Sequence, residues 1–456
     1  MSLSHTSNVA AQACVRWLTW MPTPRMTAIA TLMGLTVITG KLKEHGLLDQ
    51  MVELVCYRNP SPQALLFRTC ATVALLAALF TNDAAVLVLT EPILLSAASM
   101  GAPQEPFALA LASSANIGSA LTLIGNPQNV LIATASGMPF SRFILKVAPG
   151  WAAALVFNSL ALALFYSLAL RRTPSALQAH GERGQQQELE GIGCNTHSCT
   201  RATSGPADLL LNGRQVQAAE EKGANDVPPP LPSVRTPARG SFETLLLVTV
   251  VVGLVGGVMI PGSSIAWVVL CSMAVITLGE AWTNGRKQQA GGGQADAIAI
   301  LRHIDAPLLM LFGGLFVTLG GARMVRLPQK LEQLASGMHW QIEPEFSSAI
   351  NVVMYSSFVV LLSNLCSNVP CVMLLIDPLL NLGHDDPNRE LGFVILSFAA
   401  TVAGNLTLIG SICNLIVAEK AHGAGYQLTF GNHLVFSLPS TLIYTIGGSL
   451  LIWTAW

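Results

Sequence analysis

Twelve apolar stretches, each close to the length that crosses a bilayer, follow one another along this 456-residue chain. They run at about 26–40, 64–80, 84–100, 107–123, 147–170, 243–261, 264–280, 305–321, 347–363, 368–382, 391–409 and 433–455. A full helical span needs about 20 residues, and several stretches fall short of that. Those at 84–100, 107–123, 368–382 and 391–409 are also interrupted by Gly, Asn or Pro. Inside lipid every backbone N–H and C=O must find a partner in the protein, so such segments read as broken helices or re-entrant hairpins facing protein or a wet cavity. Charge is scarce: 11% of residues, against roughly 25–35% on a soluble surface. Of the 49 charged side chains, 15 fall in residues 171–240. A soluble enzyme, a secreted disulfide scaffold and a nucleic-acid binder are thereby disfavoured, and the net charge of −1 offers nucleic acid no footprint. The lipid bilayer is the expected partner.

The expected fold class is an all-α polytopic membrane protein, organised in four parts. Residues 1–25 form an irregular N-terminus with Arg16 and Arg25 and no acid before Glu44; a transit peptide is one reading and a shortened start the blander one. Residues 26–170 make a first transmembrane repeat and 241–456 a second. Between them, 171–240 (with GERGQQQELEG and VPPPLPSVRTPARG) reads as a disordered extramembrane linker. The polar run 284–294, NGRKQQAGGGQ, reads as a flexible loop. Nine cysteines include no CxxC pair, and Cys194, His197 and Cys199 lack a fourth ligand, so no metal or cofactor is expected. Basic residues are spread over several loops, which leaves orientation weakly determined. His45, Arg323 and Arg326 read as interfacial or solvated, and Trp453 and Trp456 as part of an aromatic belt.

The two halves repeat one another. Residues 81–92, TNDAAVLVLTEP, match 367–378, SNVPCVMLLIDP, at an offset of 286. Residues 121–134, LTLIGNPQNVLIAT, share seven of 14 positions with 406–419, LTLIGSICNLIVAE, at an offset of 285. Phe140 precedes Pro149 by nine residues, as Phe430 precedes Pro439. Chance likeness among apolar segments would match Leu and Val, not Asn, Gly and an acid–Pro pair. A duplicated unit with interrupted helices at matching places points to a secondary transporter, its site at the repeat interface. Inversion of the repeats is expected if each makes an odd number of crossings.

Asn82 and Asp83 follow the apolar run ATVALLAALF. An acid at that depth costs about 2.5–3.5 kcal/mol unless it faces a cavity, binds a cation or takes a proton. The competing reading is a helix cap at a surface turn. The repeat favours a site, because Asn368 recurs at the same place while Val369 replaces Asp83. A second constellation holds Asn116, Gly118, Ser119, Gly125, Asn126 and Asn129, and its partner holds Gly404, Asn405, Thr407, Gly410, Ser411 and Asn414. Amides and hydroxyls in apolar surroundings must be hydrogen-bonded, and Gly and Pro free backbone groups. The expectation is a neutral polar pocket for a hydroxylated solute or small ion. Asn as glue between packed helices is the alternative, stronger for Asn116 and Asn405 than for Asn129 and Asn414. Glu91 and Asp377, each before a Pro, read as gating, interfacial or snorkelling charges. HExxH, GxSxG and P-loop motifs are absent, so no enzyme is expected. Active transport would run on an ion gradient, with H+ or Na+ as coupling ion, or on a separate ATPase subunit.

Five stretches carry a resemblance to a known family: LFTNDAAVLVLTEPIL (79–94), PFALALASSANIGSALTLIGNPQNVLIATASG (106–137), SNLCSNVPCVMLL (363–375), TVAGNLTLIGSICNLIVAEKA (401–421) and YQLTFGNHLVFSLPST (426–441). The chain resembles the ion transporter superfamily of arsenite-pump membrane subunits, bacterial sodium/proton antiporters and the melanosomal pink-eye protein. Within it the chain looks most like plant silicon efflux transporters. The likeness runs from about residue 26 onward, apart from the linker and the loop near 290. It implies proton- or cation-coupled efflux of a small inorganic solute, silicic acid or arsenite, by inverted repeats whose hairpin tips meet. Here the tips would bring Asn82, Asn126 and Asn129 to Asn368, Ser411 and Asn414, with Asp83 as the coupling acid. Where the family usually has Thr-Pro, this chain has Thr122-Leu123. Relatives typically carry one or two further helices before the segment equivalent to 26–40. A multi-pass protein of the plasma membrane is expected, with an endomembrane or plastid as alternatives, and a homodimer is compatible. A sodium/proton antiporter, a channel subunit of an ATP-driven arsenite pump and a non-transporting scaffold are the competing functions.

Overall fold

The computed structural model describes residues 24–47, 49–57, 60–171, 242–289, 304–325, 330 and 345–456. Among the described residues every regular element is helical. The first half holds α1 (Pro24–Glu44), α2 (Asp49–Cys56), α3 (Pro62–Leu79), α4 (Asn82–Ser99), α5 (Glu105–Ser119), α6 (Pro127–Ser136), α7 (Phe140–Phe165) and the short α8 (Ser167–Arg171). The second holds α9 (Phe242–Met259), α10 (Ile265–Gln289), α11 (Ala306–Met324), α12 (Ala349–Cys366), α13 (Asn368–Asn381), α14 (Pro387–Ala403), a 3-10 turn (Leu408–Gly410), α15 (Ile412–Gly423) and α16 (Phe430–Thr454). Six of these, α3, α7, α9, α10, α12 and α16, are long and apolar enough to cross a membrane.

Local chemistry sets many of the boundaries. Ser61 caps α3 through its hydroxyl to the Ala64 N–H, with Pro62 at the first helical position. Asn126 caps α6 by accepting from the Asn129 N–H at 2.9 Å, followed by Pro127, and Gly137 at φ 66 ends it. Prolines sit inside α4, α7, α13 and α16 at matching positions of the halves.

The halves correspond as α3–α7 to α12–α16. In each, two helices form a hairpin (α3–α4, α12–α13), a third crossing is broken (α5–α6, α14–α15), and a long helix follows. α5 and α14 are almost wholly buried and make the centre of the bundle. The contacts between halves are reciprocal: α6 lies on α13 as α15 lies on α4, and α6 on α14 as α15 on α5. Such exchange is the mark of a two-fold relation. The counterparts α7 and α16 run antiparallel, since Gly150 packs on Gly448, Phe157 on Tyr444 and Phe165 on Phe436. The repeats are therefore inverted.

The stretches 84–100 and 368–382, expected to be broken, are instead single helices with an internal proline, α4 and α13. The stretches 107–123 and 391–409 are broken as expected, because α5 stops at Ser119 and α14 at Ala403. α6 and α15, hidden from hydropathy by their Asn, Gln, Glu and Lys, complete those crossings. The expected loop at 284–294 is helical as far as Gln289, where Arg, Lys and Gln favour extending α10; its remainder lies outside the described residues. So do residues 1–23, the linker from 172 to 240 with Cys194, His197 and Cys199, and Arg326.

Candidate functional site: a polar centre shared by two repeats

Both breaks are built alike. The Asn129 amide donates to the backbone carbonyls of Ser119 (3.2 Å) and Thr122 (2.9 Å), clasping the loop between α5 and α6. Asn414, its counterpart, donates to the carbonyls of Gly404 (2.8 Å) and Thr407 (3.0 Å), the counterparts of Ser119 and Thr122. Each Asn then offers its oxygen to the other half. Asn129 Oδ1 accepts from Ser397 (2.6 Å) and Thr401 (3.3 Å), and Asn414 Oδ1 accepts from Asn116 (3.0 Å). Asn116 and Thr401 are themselves counterparts at offset 285. Glycine permits the close loops: a Cβ on Gly125 would strike the Ser119 carbonyl, and one on Gly410 would come within 2.8 Å of the Gly404 carbonyl. Gly118 serves packing instead, because a Cβ there would collide with the Ala74 backbone of α3.

These clasps orient the remaining amides. Backbone carbonyls can only accept, so Asn414 must turn its oxygen to Asn116, and Asn116 its NH2 to Asn414 and to Asn405 Oδ1 (2.8 Å). Asn116 Oδ1 then receives Asn82 Nδ2 (2.9 Å) from the first hairpin and Ser411 Oγ (3.0 Å) from the second break. Asn82 turns its oxygen to the Asp83 N–H (3.0 Å) and its own N–H to the Gly125 carbonyl (3.1 Å). Asn126 reaches Ser119 Oγ (3.1 Å) and Thr401 Oγ1 (3.2 Å), and Asn405 donates to the Ser113 carbonyl (3.1 Å) and Tyr444 Oη (2.9 Å).

At the second hairpin tip, Ser367 has φ 76, a left-handed value that favours glycine. Asn368 Oδ1 accepts from Ser363, and its Nδ2 stands against Gly404, where a Cβ would lie 2.9 Å away. Thr407 donates to Asn364 Oδ1 (3.1 Å). Thus the residues read from sequence gather around the breaks and the two tips, but they divide. Asn116, Asn126, Asn129, Asn405 and Asn414 are fully buried and spend their amides on the protein, as interhelical glue does. Among the described residues nothing hydrogen-bonds the Asp83 carboxylate or Asn368 Nδ2, so these hold the centre's unspent polarity. Glu91 stands apart, 4.0 Å from Lys420 of α15. His45 pairs with Glu243 at 3.6 Å, and Trp453 donates to the Phe346 carbonyl.

Several contributors were not read from sequence. Thr401 was visible only as the counterpart of Asn116 with a different side chain. Thr122 stood in plain sight in the matched LTLIG. Asp305, at the start of α11, lies within electrostatic reach of Asp83, as does Cys413. Among the described residues no group of three or more His, Cys, Asp or Glu could hold a metal ion.

Inverted repeats, crossings broken at matched places and a polar centre contributed by both halves define the architecture of a membrane transporter. The chain belongs to the citrate transporter family, CitMHS, whose family model matches residues 18–387. It is a multi-pass integral membrane transporter. The silicon efflux transporter LSI3 of Oryza sativa subsp. japonica is 31% identical over 437 residues, covering 93% of this chain and 86% of its own. The arsB protein of Dictyostelium discoideum is 24% identical, over 92% of this chain and 81% of its own. Of solved structures, the YdaH transporter of Alcanivorax borkumensis is similar at a TM-score of 0.49 and 14% identity, covering 100% of this chain and 89% of that one.

Proposed function

We propose that this transporter exports a small neutral hydroxy acid, silicic acid or arsenite, in exchange for protons, with Asp83 as the coupling acid. The observation that carries the proposal is the unspent polarity of the centre: among the described residues, one carboxylate and one amide without a hydrogen-bond partner, and no Lys or Arg hydrogen-bonded to either. A carboxylate in apolar surroundings is most stable when it holds a proton or a cation. Binding one and releasing it as the solute leaves would tie the two movements together. A neutral acid rich in O–H groups can donate to Asp83 and accept from Asn368 without a fixed positive charge. Citrate, named for the family, is a tricarboxylate and would ask for cationic partners, which the described residues of the centre do not supply. The likeness to a silicon efflux transporter supports the same reading.

The partnerless carboxylate also suits a sodium/proton antiporter, in which Asp83 would bind the transported cation. Reconstituted vesicles with an imposed pH gradient separate the two. Silicic acid or arsenite export should follow the gradient in the wild type and lose that dependence in Asp83→Asn. Solute export that keeps its gradient dependence in Asp83→Asn would sink the coupling role. Sodium-dependent proton release without solute movement would decide for the antiporter.

A further inference from the structure

One buried face of α16 is polar along most of its length. His433, Ser437, Thr441, Thr445 and Ser449 recur every four residues, with Tyr444 three after Thr441, so they lie on one side of the helix. From His433 to Ser449 the seam covers about 24 Å. All six are buried. Their hydrogen bonds run part of the way: Ser437 approaches His433 Nε2 at 3.5 Å, Thr441 meets Tyr444 Oη at 3.0 Å, and Tyr444 accepts from Asn405 of the polar centre. Either hydroxyl of the Thr441–Tyr444 pair can donate, so the pair can hand a proton on in either sense.

Elsewhere the seam is left open. His433 Nδ1, Thr445 Oγ1 and Ser449 Oγ are buried with no partner, and so is Ser356 Oγ on α12. The repeat places Ser356 beside the seam. α12 packs along α16, and the counterpart of Ser356, Cys70, lies within electrostatic reach of Ser159, the counterpart of Ser449. Burying a hydroxyl unpaired costs about 1–3 kcal/mol, so several together in one seam mark bound water, which needs two to four polar partners. The inverted counterpart shows that the fold does not require this polarity. At the positions of His433, Ser437, Thr441, Tyr444 and Thr445, α7 carries Phe143, Val147, Trp151, Ala154 and Leu155.

We propose that the seam of α16 is a hydrated proton path, in which waters bound to Ser356, Thr445 and Ser449 complete a hydrogen-bonded file that meets the transport centre at Tyr444. Each member takes up one proton and passes on another, so nothing is consumed. Amides do not relay protons, so the last step from Tyr444 to Asp83 runs through water or solute in the centre. His433 and Tyr444 are the seam's only titratable members. The rings packed on this stretch from α7, Phe157 on Tyr444 and Phe165 on Phe436, are neutral. The inference rests on the proton-coupled reading and adds to it a route separate from the solute's own.

The test uses the full chain in vesicles, with Thr445→Val and Ser449→Ala combined, Tyr444→Phe, and Ser159→Ala as the control in α7. Solute exchange without a pH gradient should be unchanged in the double variant, while gradient-driven export falls about tenfold, the worth of roughly one hydrogen bond. The Ser159 control should keep both rates. Equal loss of both rates, or no loss of either, overturns the path. A second measurement does not depend on coupling. Radiolytic labelling by buried water should mark Tyr444 in the wild type and fade in the double variant. Labelling that fades while the wild type ignores pH gradients would leave the seam hydrated and remove the coupling reading. Absence of labelling in a coupled wild type would remove the path alone.

Discussion

Asn414 and Asn368 both reach Gly404, at the start of the second break, and do opposite work. Asn414→Ala would strip partners from two backbone carbonyls and from Asn116 at once. With orphaned groups costing about 1–3 kcal/mol in proteins and interhelical bonds averaging about 0.6 in membranes, the loss should reach about 2–4 kcal/mol. Asn368→Ala removes a free amide, and Ser363 keeps the Ala400 carbonyl, 3.4 Å away, as a second acceptor. It should raise the solute KM about tenfold and leave the melting temperature in detergent near the wild type. Equal melting shifts in the two variants would erase the distinction between clasp and ligand. Sequence could pair Asn129 with Asn414 because each follows LTLIG by four residues. It could not say that their amides face the chain's own carbonyls, because hydrogen-bond partners across a loop leave no trace in spacing. Thr401 was missed for a related reason: the repeat keeps its place and its bond to the opposite Asn, but not its residue type.

Among the elements, the broken crossings were only half legible. The apolar parts, α5 and α14, stand out by hydropathy, whereas α6 and α15 carry the polar side chains that the clasps and caps require. Glycine made the breaks visible but left their purposes mixed. Gly125 and Gly410 let the loop pass over the end of its helix, while Gly118 lets α5 approach α3. Gly118→Ala should therefore push α3 from α5 and sharply reduce folded yield, read by size-exclusion profile in detergent. Gly253→Ala in α9, where an added Cβ meets nothing within 4 Å, should be tolerated and gain helix propensity of about 1 kcal/mol. A Gly118→Ala protein as monodisperse as that control would count against the close packing.

For the molecule as a whole, the two-fold relation holds in the bonds and fails in the covering. α1 packs on α6, and the counterpart flank of α15 leaves Ile412 and Leu415 exposed. Ile124 is 2% exposed and its counterpart Ile409 70%. In a background without reactive thiols, Ile409→Cys should take a maleimide readily and Ile124→Cys should not. Equal labelling would mean that the halves are equally open. Motif order predicted the duplication and the family likeness implied inversion, but the residues alone did not: inversion is displayed by α7 and α16 lying antiparallel, a relation between directions in space that residue types do not encode. The bonds that hold this pair of halves carry a last consequence. Since the oxygens of Asn129 and Asn414 are satisfied only by side chains of the opposite half, neither half is chemically complete alone. A single-copy forerunner of this chain would have needed a twin inserted upside down in the same membrane. Carrying both copies in one chain holds that opposed orientation in place.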